Sequence, residues 1–279
     1  MNDTELPLIS IIIATLNCVH TLQQCLDSVA RQTYSPLELI VIDGGSTDGT
    51  IDILHINARK ISYWESEKDR GIYHAWNKGV SHAHGEWLYF LGADDRLWND
   101  DVLERVAPHL RDTYPSFRVV YGKVAVTNNS GAILKMDGRP WEQCRADYRW
   151  QMTIPHQGTF HHRNLFEDQG FDESFHVAGD YEFLLRELKD RDALFVDVLV
   201  AAMRFGGISN MPERMPLSVA ELARAQRKNG VPTGSLKWQW LRFRVIMRLW
   251  LIRLLGERGA YYLTDAYRMI TGKPPMWTR

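Results

Sequence analysis

Hydrophobic positions in the first hundred residues alternate between two spacings. Leu8-Ile9-Ser10-Ile11-Ile12-Ile13-Ala14-Thr15 is short, β-branched and almost wholly apolar, as expected of a central strand in a parallel sheet. From about Thr21 to Gln32, Leu22, Cys25, Leu26 and Val29 recur at helical spacing. Leu37–Ile42 predicts a second strand, ending in the turn-rich polar loop Asp43-Gly44-Gly45-Ser46-Thr47-Asp48-Gly49-Thr50. A helix from about Thr50 to Asn57 follows. Ile61–Glu65 reads as a third strand, Gly71–Ala83 as a helix and Trp87–Leu91 as a fourth strand. This alternation predicts an α/β fold with a doubly wound, mostly parallel sheet. Ligands in such sheets sit at the C-terminal strand edge, where Asp43 and the pair Asp94-Asp95 both fall.

The second half is less regular. Val119–Gly122 and Val124–Val126 are strand-like, and Asn128-Asn129-Ser130-Gly131 is a turn. Trp141–Gln157 is rich in Trp and Arg with little periodicity. Tyr181–Lys189 reads as a helix and Leu194–Val198 as a strand. A helix over Leu217–Lys228 ends at Asn229-Gly230-Val231-Pro232. Lys237–Leu255 then combines Arg, Trp and Leu. At about 100° per residue, Arg242 and Arg253 fall on one side and Arg244 and Arg248 nearly opposite, with apolar residues filling both gaps.

Composition narrows the function classes. The net charge of -1 gives no basic field for nucleic acid. Three cysteines, Cys18, Cys25 and Cys144, disfavour a disulfide framework, suit a reducing cytoplasm and show no zinc spacing. The acidic start Met1-Asn2-Asp3-Thr4-Glu5 is unlike a signal peptide, and no run of about 18 uncharged apolar residues suggests a membrane span.

Candidate chemistry gathers at strand ends. Buried strands exclude carboxylates, so Asp94-Asp95 after Trp87–Leu91 is placed to hold a hard divalent cation and the phosphates it neutralises; a capped turn is the plainer alternative. Asp43, followed by two glycines, leaves room for a flat ligand and offers an acceptor to a base N–H or a ribose hydroxyl. It could equally cap the next helix.

The motifs Ser10–Asn17, Glu38–Thr50 and Asp94-Asp95, in that order, resemble those of the family 2 glycosyltransferases with the GT-A fold. The resemblance covers roughly residues 8–205. Asp69-Arg70-Gly71-Ile72-Tyr73-His74-Ala75-Trp76-Asn77-Lys78-Gly79 is similar to that family's donor-side segment, in the form seen in bacterial exopolysaccharide and O-antigen enzymes. The resemblance implies an inverting enzyme using a nucleotide-diphosphate sugar, with UDP favoured. Thr15 and Asn17 would line the nucleotide pocket and Asp43 would read the base. Asp94 would face ribose or metal, and Asp95 would ligate Mg2+ or Mn2+. Gly92 and Ala93 stand where many relatives place a further Asp. Asn77 and Lys78 lie near the donor edge, where the lysine would touch phosphate or else end a solvated helix.

Inversion needs a carboxylate to take the acceptor proton. By resemblance it is Asp180 in Val177-Ala178-Gly179-Asp180-Tyr181-Glu182, although Gly179 replaces a common Glu; the alternative role is a helix N-cap, and Glu182 is the competing carboxylate. Arg186 and His156 are expected at the acceptor or diphosphate. His161 and His162 read as one inward and one outward residue of a strand, in preference to metal ligands.

The expected organisation is a catalytic domain over 1–210, with a nucleotide-sugar half to about 100 and an acceptor half from about 101, and a helical extension over 211–279. That extension would meet a membrane surface, or else pack on the catalytic domain or on a second subunit. A lipid-linked glycan acceptor would place the chain on the cytoplasmic face of a bacterial membrane, in cell-surface polysaccharide or lipopolysaccharide assembly. The rival is a noncatalytic nucleotide-sugar-binding or scaffold subunit of the same fold. A dinucleotide oxidoreductase does not fit, because Ala14-Thr15-Leu16-Asn17 follows the first strand in place of Gly-x-Gly-x-x-Gly.

Overall fold

The computed structural model describes residues 6–128, 130–206, 212–233 and 236–272. The first half follows the predicted alternation: β1 (Ile9–Thr15), α1 (Leu22–Ala30), β2 (Leu37–Asp43), α2 (Thr50–Asn57), β3 (Tyr63–Ser66), α3 (Ile72–His82) and β4 (Trp87–Gly92). Then come β5 (Arg96–Leu97), α4 (Val102–Arg111), β6 (Val119–Thr127), β7 (Ile133–Asp137), α5 (Trp141–Tyr148), β8 (Thr159–His162), α6 (Gly179–Leu188), β9 (Leu194–Arg204), α7 (Met215–Lys228) and α8 (Leu236–Ile270).

Among the described residues, one sheet carries nine strands in the order β3-β2-β1-β4-β8-β6-β9-β5, with β7 on the side of β6. β3, β2, β1 and β4 are parallel, whereas β8 is antiparallel to both β4 and β6. The sheet is thus parallel where a nucleotide would sit and mixed beyond it. Both faces are covered, which is why β1 is apolar at all but Ser10 and Thr15. Ile9, Ile11 and Ile13 pack with α1 and α4 on one side, and Ile12 packs with α3 and α6 on the other.

Two features escaped the sequence reading. α4 buries Val102, Leu103, Val106, Ala107 and Leu110, a plain helical stripe. α5 lies inside the stretch judged aperiodic and buries Trp141, Cys144 and Tyr148. The expected division of His161 and His162 into inward and outward residues meets a different environment. They point to opposite faces, yet both are buried, because both faces of the sheet are covered there. His161 meets Phe90 and Phe183, while His162 stacks on Tyr114 with ring centroids 3.8 Å apart.

The boundary placed at residue 210 separates α7 from the catalytic half, but hydrogen bonds cross it. The Glu221 carboxylate on α7 accepts from the backbone N–H groups of His176, Val177 and Ala178, at the entrance to α6. A carboxylate there satisfies donors that the helix leaves unpaired and complements its positive end. No helix among the described residues is long and apolar enough to cross a membrane.

Candidate active site

Strand register assembles the site. Thr15 lies opposite Asp43, and Ala14 lies opposite Gly92, so the ends of β1, β2 and β4 form one level edge. The loops leaving that edge are stitched together. Asn17 has φ 52, a left-handed conformation that Asn tolerates better than most residues. This turns its backbone N–H onto Ser46 Oγ (2.7 Å) and its side-chain Oδ1 onto the Thr47 N–H (3.0 Å). The Thr15 carbonyl accepts from the Gly44 N–H (2.9 Å). Thr15 is buried, and among the described residues its hydroxyl has no hydrogen-bond partner.

Asp43 is fully buried. Its carboxylate accepts from the N–H groups of Gly45 and Ser46 and from the hydroxyls of Ser46 and Ser66. Direct contact with a base is therefore closed in this arrangement, and Asp43 acts as the hub that shapes the loop. Capping of α2 falls instead to Asp48, which accepts from the Thr50 N–H and hydroxyl. The more accessible carboxylate here is Asp69, which the sequence reading left inside a longer segment without singling it out. Its Oδ2 lies where a side chain on Gly44 would begin, 2.6 Å from the ideal Cβ position. A glycine at 44 is what lets Asp69 overhang the strand end.

Asp94 and Asp95 differ sharply. Asp94 is exposed, whereas Asp95 is buried and accepts from the Arg204 N–H (3.0 Å). Burial, with the Asp94 charge adding to it, pushes the Asp95 carboxyl up to about 8. A Cβ on Gly92 would sit 2.7 Å from Asp95 Oδ2 and 3.1 Å from Asp94 Oδ1. Oxygens from both acids thus converge over a glycine that leaves them room. Ala93 is buried in the core, so an acid at that position would point away from the pair's surroundings and into apolar contacts. Among the described residues, no group of three or more His, Cys, Asp or Glu side chains is arranged to hold an ion alone. Two hard oxygens from the protein fit a cation that takes the rest of its shell from phosphate and water, as Mg2+ does and as Mn2+ can.

Asp180 lies in the first turn of α6. Tyr73, in the first turn of α3, accepts from the Gly179 N–H (2.7 Å) and donates to Asp180 Oδ1 (3.3 Å). Burial, with Asp180 adding to it, raises the Tyr73 phenol well above its ordinary value, so the hydroxyl keeps its proton. The Tyr73 ring also explains Gly179: a Cβ there would lie 2.6 Å from a ring carbon. Together with Glu221, Tyr73 fixes the α6 entrance from which Asp180 projects. Neither residue announces itself in the sequence, because each acts through backbone groups more than a hundred or about forty residues away.

His156 is buried and stacks on Trp76 with ring centroids 5.0 Å apart; among the described residues its Nε2 and Trp76 Nε1 have no partner. Burial lowers the pKa of His156, against the pull of the Asp180 charge, which keeps the ring neutral. The remaining expected site residues are engaged in architecture. The Asn77 side chain clamps the backbone N–H and C=O of Phe171 and also donates to Glu173. Lys78 is paired with Glu65 and Glu67. Arg186 pairs with Glu182 and donates to the Gln169 and Gly170 carbonyls. Asn77 and Arg186 tie the 169–173 loop to α3 and α6, and Lys78 ties α3 to β3; the structure does not bring them to the carboxylate edge as free groups.

Residues 10–179 match the family model for Glycosyl transferase family 2. The chain belongs to that family. It is 37% identical over 228 residues to the "PGL/p-HBAD biosynthesis glycosyltransferase" of Mycobacterium tuberculosis, covering 76% of this chain and 85% of that one. It is 31% identical over 186 residues to the chondroitin synthase of Pasteurella multocida, covering 65% of this chain and 19% of that one. Among solved structures, the Pyrobaculum calidifontis mannosyltransferase PcManGT with GDP-Man and Mn2+ aligns with a TM-score of 0.66 at 21% identity, over 99% of this chain and 84% of that one. S. aureus TarS with UDP-GlcNAc aligns at 0.61 and 17% identity, over 94% of this chain and 77% of that one. The fold is therefore that of the GT-A glycosyltransferases, and the family 2 motifs lie on the edge described above.

Tyr73→Phe gives a local test of this family 2 site. The ring that packs against Gly179 remains, but the hydroxyl is lost. We expect kcat to fall about tenfold, equivalent to one buried hydrogen bond, with KM for the nucleotide sugar changed less than about twofold. A variant with the wild-type kcat would show that Tyr73 serves packing alone.

Proposed function

We propose that this glycosyltransferase moves a sugar from a nucleotide diphosphate to a hydroxyl of a glycan acceptor in a single inverting displacement. The observations that carry this reading are two carboxylate stations. Asp94 and Asp95 converge over Gly92 on the strand edge, and Asp180 is held by Tyr73 at the start of α6.

In this reading the donor lies along the ends of β1, β2 and β4. The Thr15 hydroxyl and the loop built on Asn17 and Asp43 wall the nucleotide, and Asp69 is the carboxylate placed to accept from a base N–H or a ribose hydroxyl. A carboxylate acceptor suits uracil N3–H, so UDP-sugars are the first donors to try. Asp94 and Asp95 would hold Mg2+ or Mn2+, which when bound neutralises charge developing on the departing diphosphate. Asp180 takes the acceptor hydroxyl proton as that oxygen attacks the anomeric carbon, and Tyr73 fixes the carboxylate's aim. His156, neutral and with Nε2 unpartnered, is available to an acceptor hydroxyl. A lipid-linked acceptor at the cytoplasmic membrane face is the setting we favour, because the C-terminal helix carries arginine and tryptophan together. Nucleoside diphosphate release from UDP-, GDP- and dTDP-sugars with Mg2+ or Mn2+ tests the reading. Acceptor-dependent release supports it, and silence across the panel removes it.

A further inference from the structure

α8 is a helix with two apolar stripes. The inner one, Trp238, Leu241, Val245 and Leu249, is buried or half-buried; Trp238, Val245 and Leu249 border the cleft against Val219, Ala220 and Ala223 of α7. Trp238 also donates its indole N–H to Gln226 of α7. The outer stripe, Leu236, Trp240, Phe243, Met247, Trp250 and Leu254, steps by four and three residues and so forms a single line about 27 Å long. Every one of these side chains is exposed, from 39% at Met247 to 84% at Leu236. Arg244 and Arg248 flank the line on one side, and Arg242 and Arg253 on the other. The two gaps between arginines noted in the sequence are thus a face spent on α7 and a face left over.

An apolar line of this size needs an occupant, and charge decides which. Leu236–Leu255 holds five cations, Lys237, Arg242, Arg244, Arg248 and Arg253, and no Asp or Glu. A second copy of α8 laid on the stripe, parallel or antiparallel, would set arginine against arginine with no acid to pair. We propose that the outer stripe of α8 lies flat on an anionic lipid bilayer, with Trp240, Phe243 and Trp250 at the headgroup–acyl boundary and Arg244 and Arg253 on lipid phosphates. Gly256, with φ 70, breaks the helix immediately after the stripe and limits the docked segment to its first half.

The docked helix has a short mechanical route to the acceptor end of the site. α8 packs on α7, Glu221 of α7 holds the backbone of residues 176–178, and Asp180 follows at once. On the catalytic reading above, an acceptor anchored in the bilayer would be met by the element that carries the base.

Flotation of the full chain with vesicles tests this without any turnover. Wild type should float with vesicles containing phosphatidylglycerol and remain behind with pure phosphatidylcholine. The exposed pair Trp240→Ser/Trp250→Ser should weaken binding at least about tenfold with no change in Tm. Arg244→Gln/Arg253→Gln should weaken it by about fivefold per arginine and erase the preference for anionic lipid. Equal behaviour toward both vesicle types, or binding untouched by the tryptophan pair, would overturn the proposal. So would a wild-type dimer that the tryptophan pair dissociates, since the stripe would then be a self-interface. Failure to release nucleoside diphosphate would leave the flotation result standing, so the two readings fail separately.

Discussion

Asp180→Asn should lower the transfer rate about 10³-fold while leaving KM for the nucleotide sugar within about twofold. Asparagine keeps the size of the side chain and can still accept from the Tyr73 hydroxyl, so the α6 entrance should survive. What is lost is the only feature that matters to a base, the capacity to take a proton as the acceptor oxygen attacks. On the proposed reading the donor lies along the strand edge, so its binding should be spared. Tm should stay within a few degrees of wild type, because Glu221 and Tyr73 continue to hold the backbone of residues 176–179. A variant that transfers sugar at the wild-type rate would move the base to another group, and Glu182 would not be the first choice. Glu182 is fully buried and spent on Arg186, Lys228 and Asn229.

The second large effect is expected at Asp95. Asp95→Asn should cut activity by about 10² or more and remove the response to Mn2+, since an amide offers no charge to a cation and Asp94 alone is exposed and weakly held. The wild-type carboxyl stands near 8 because it is buried and lies beside Asp94, so a proton competes with the cation for it. The sign follows directly. Below pH 8 the proton must leave before the metal binds, and Mn2+ affinity should fall by up to about tenfold per pH unit as the solution is made more acid. Titrations of Mn2+ with nucleoside diphosphate between pH 6 and 9 measure this. In Asp95→Asn the pH dependence should be nearly flat. A wild-type affinity that does not vary with pH would mean that Asp95 loses no proton when the ion binds.

Much of this site was legible before the structure. β1, β2 and β4 were plain because strands buried on both faces are mostly apolar, and their ends were plain because acids and turn residues interrupt such a run. The edge that unites Asp43, Thr15 and Asp94-Asp95 followed from parallel topology alone. What could not be read was which polar groups are consumed by the protein itself. Asp43, Asn77, Lys78 and Arg186 all looked available, yet each is satisfied by partners that only the fold brings near. The opposite error occurred at Tyr73, Asp69 and Glu221, whose importance lies in where their oxygens end up. Two departures from the family pattern also change meaning. Gly179 makes space for the Tyr73 ring, and Ala93 fills an apolar core position, so neither is a sign of lost chemistry.

The most direct measurement combines nucleoside diphosphate release with the anomeric configuration of the product. Wild-type protein is offered UDP-, GDP- and dTDP-sugars with Mn2+ and a hydroxyl acceptor. The account predicts release with at least one donor, dependent on the acceptor, and a product whose anomeric centre is inverted by NMR. Retained configuration would contradict the single displacement on Asp180. Tight nucleotide-sugar binding with no release from any donor would instead mark the chain as a binding subunit that kept the fold.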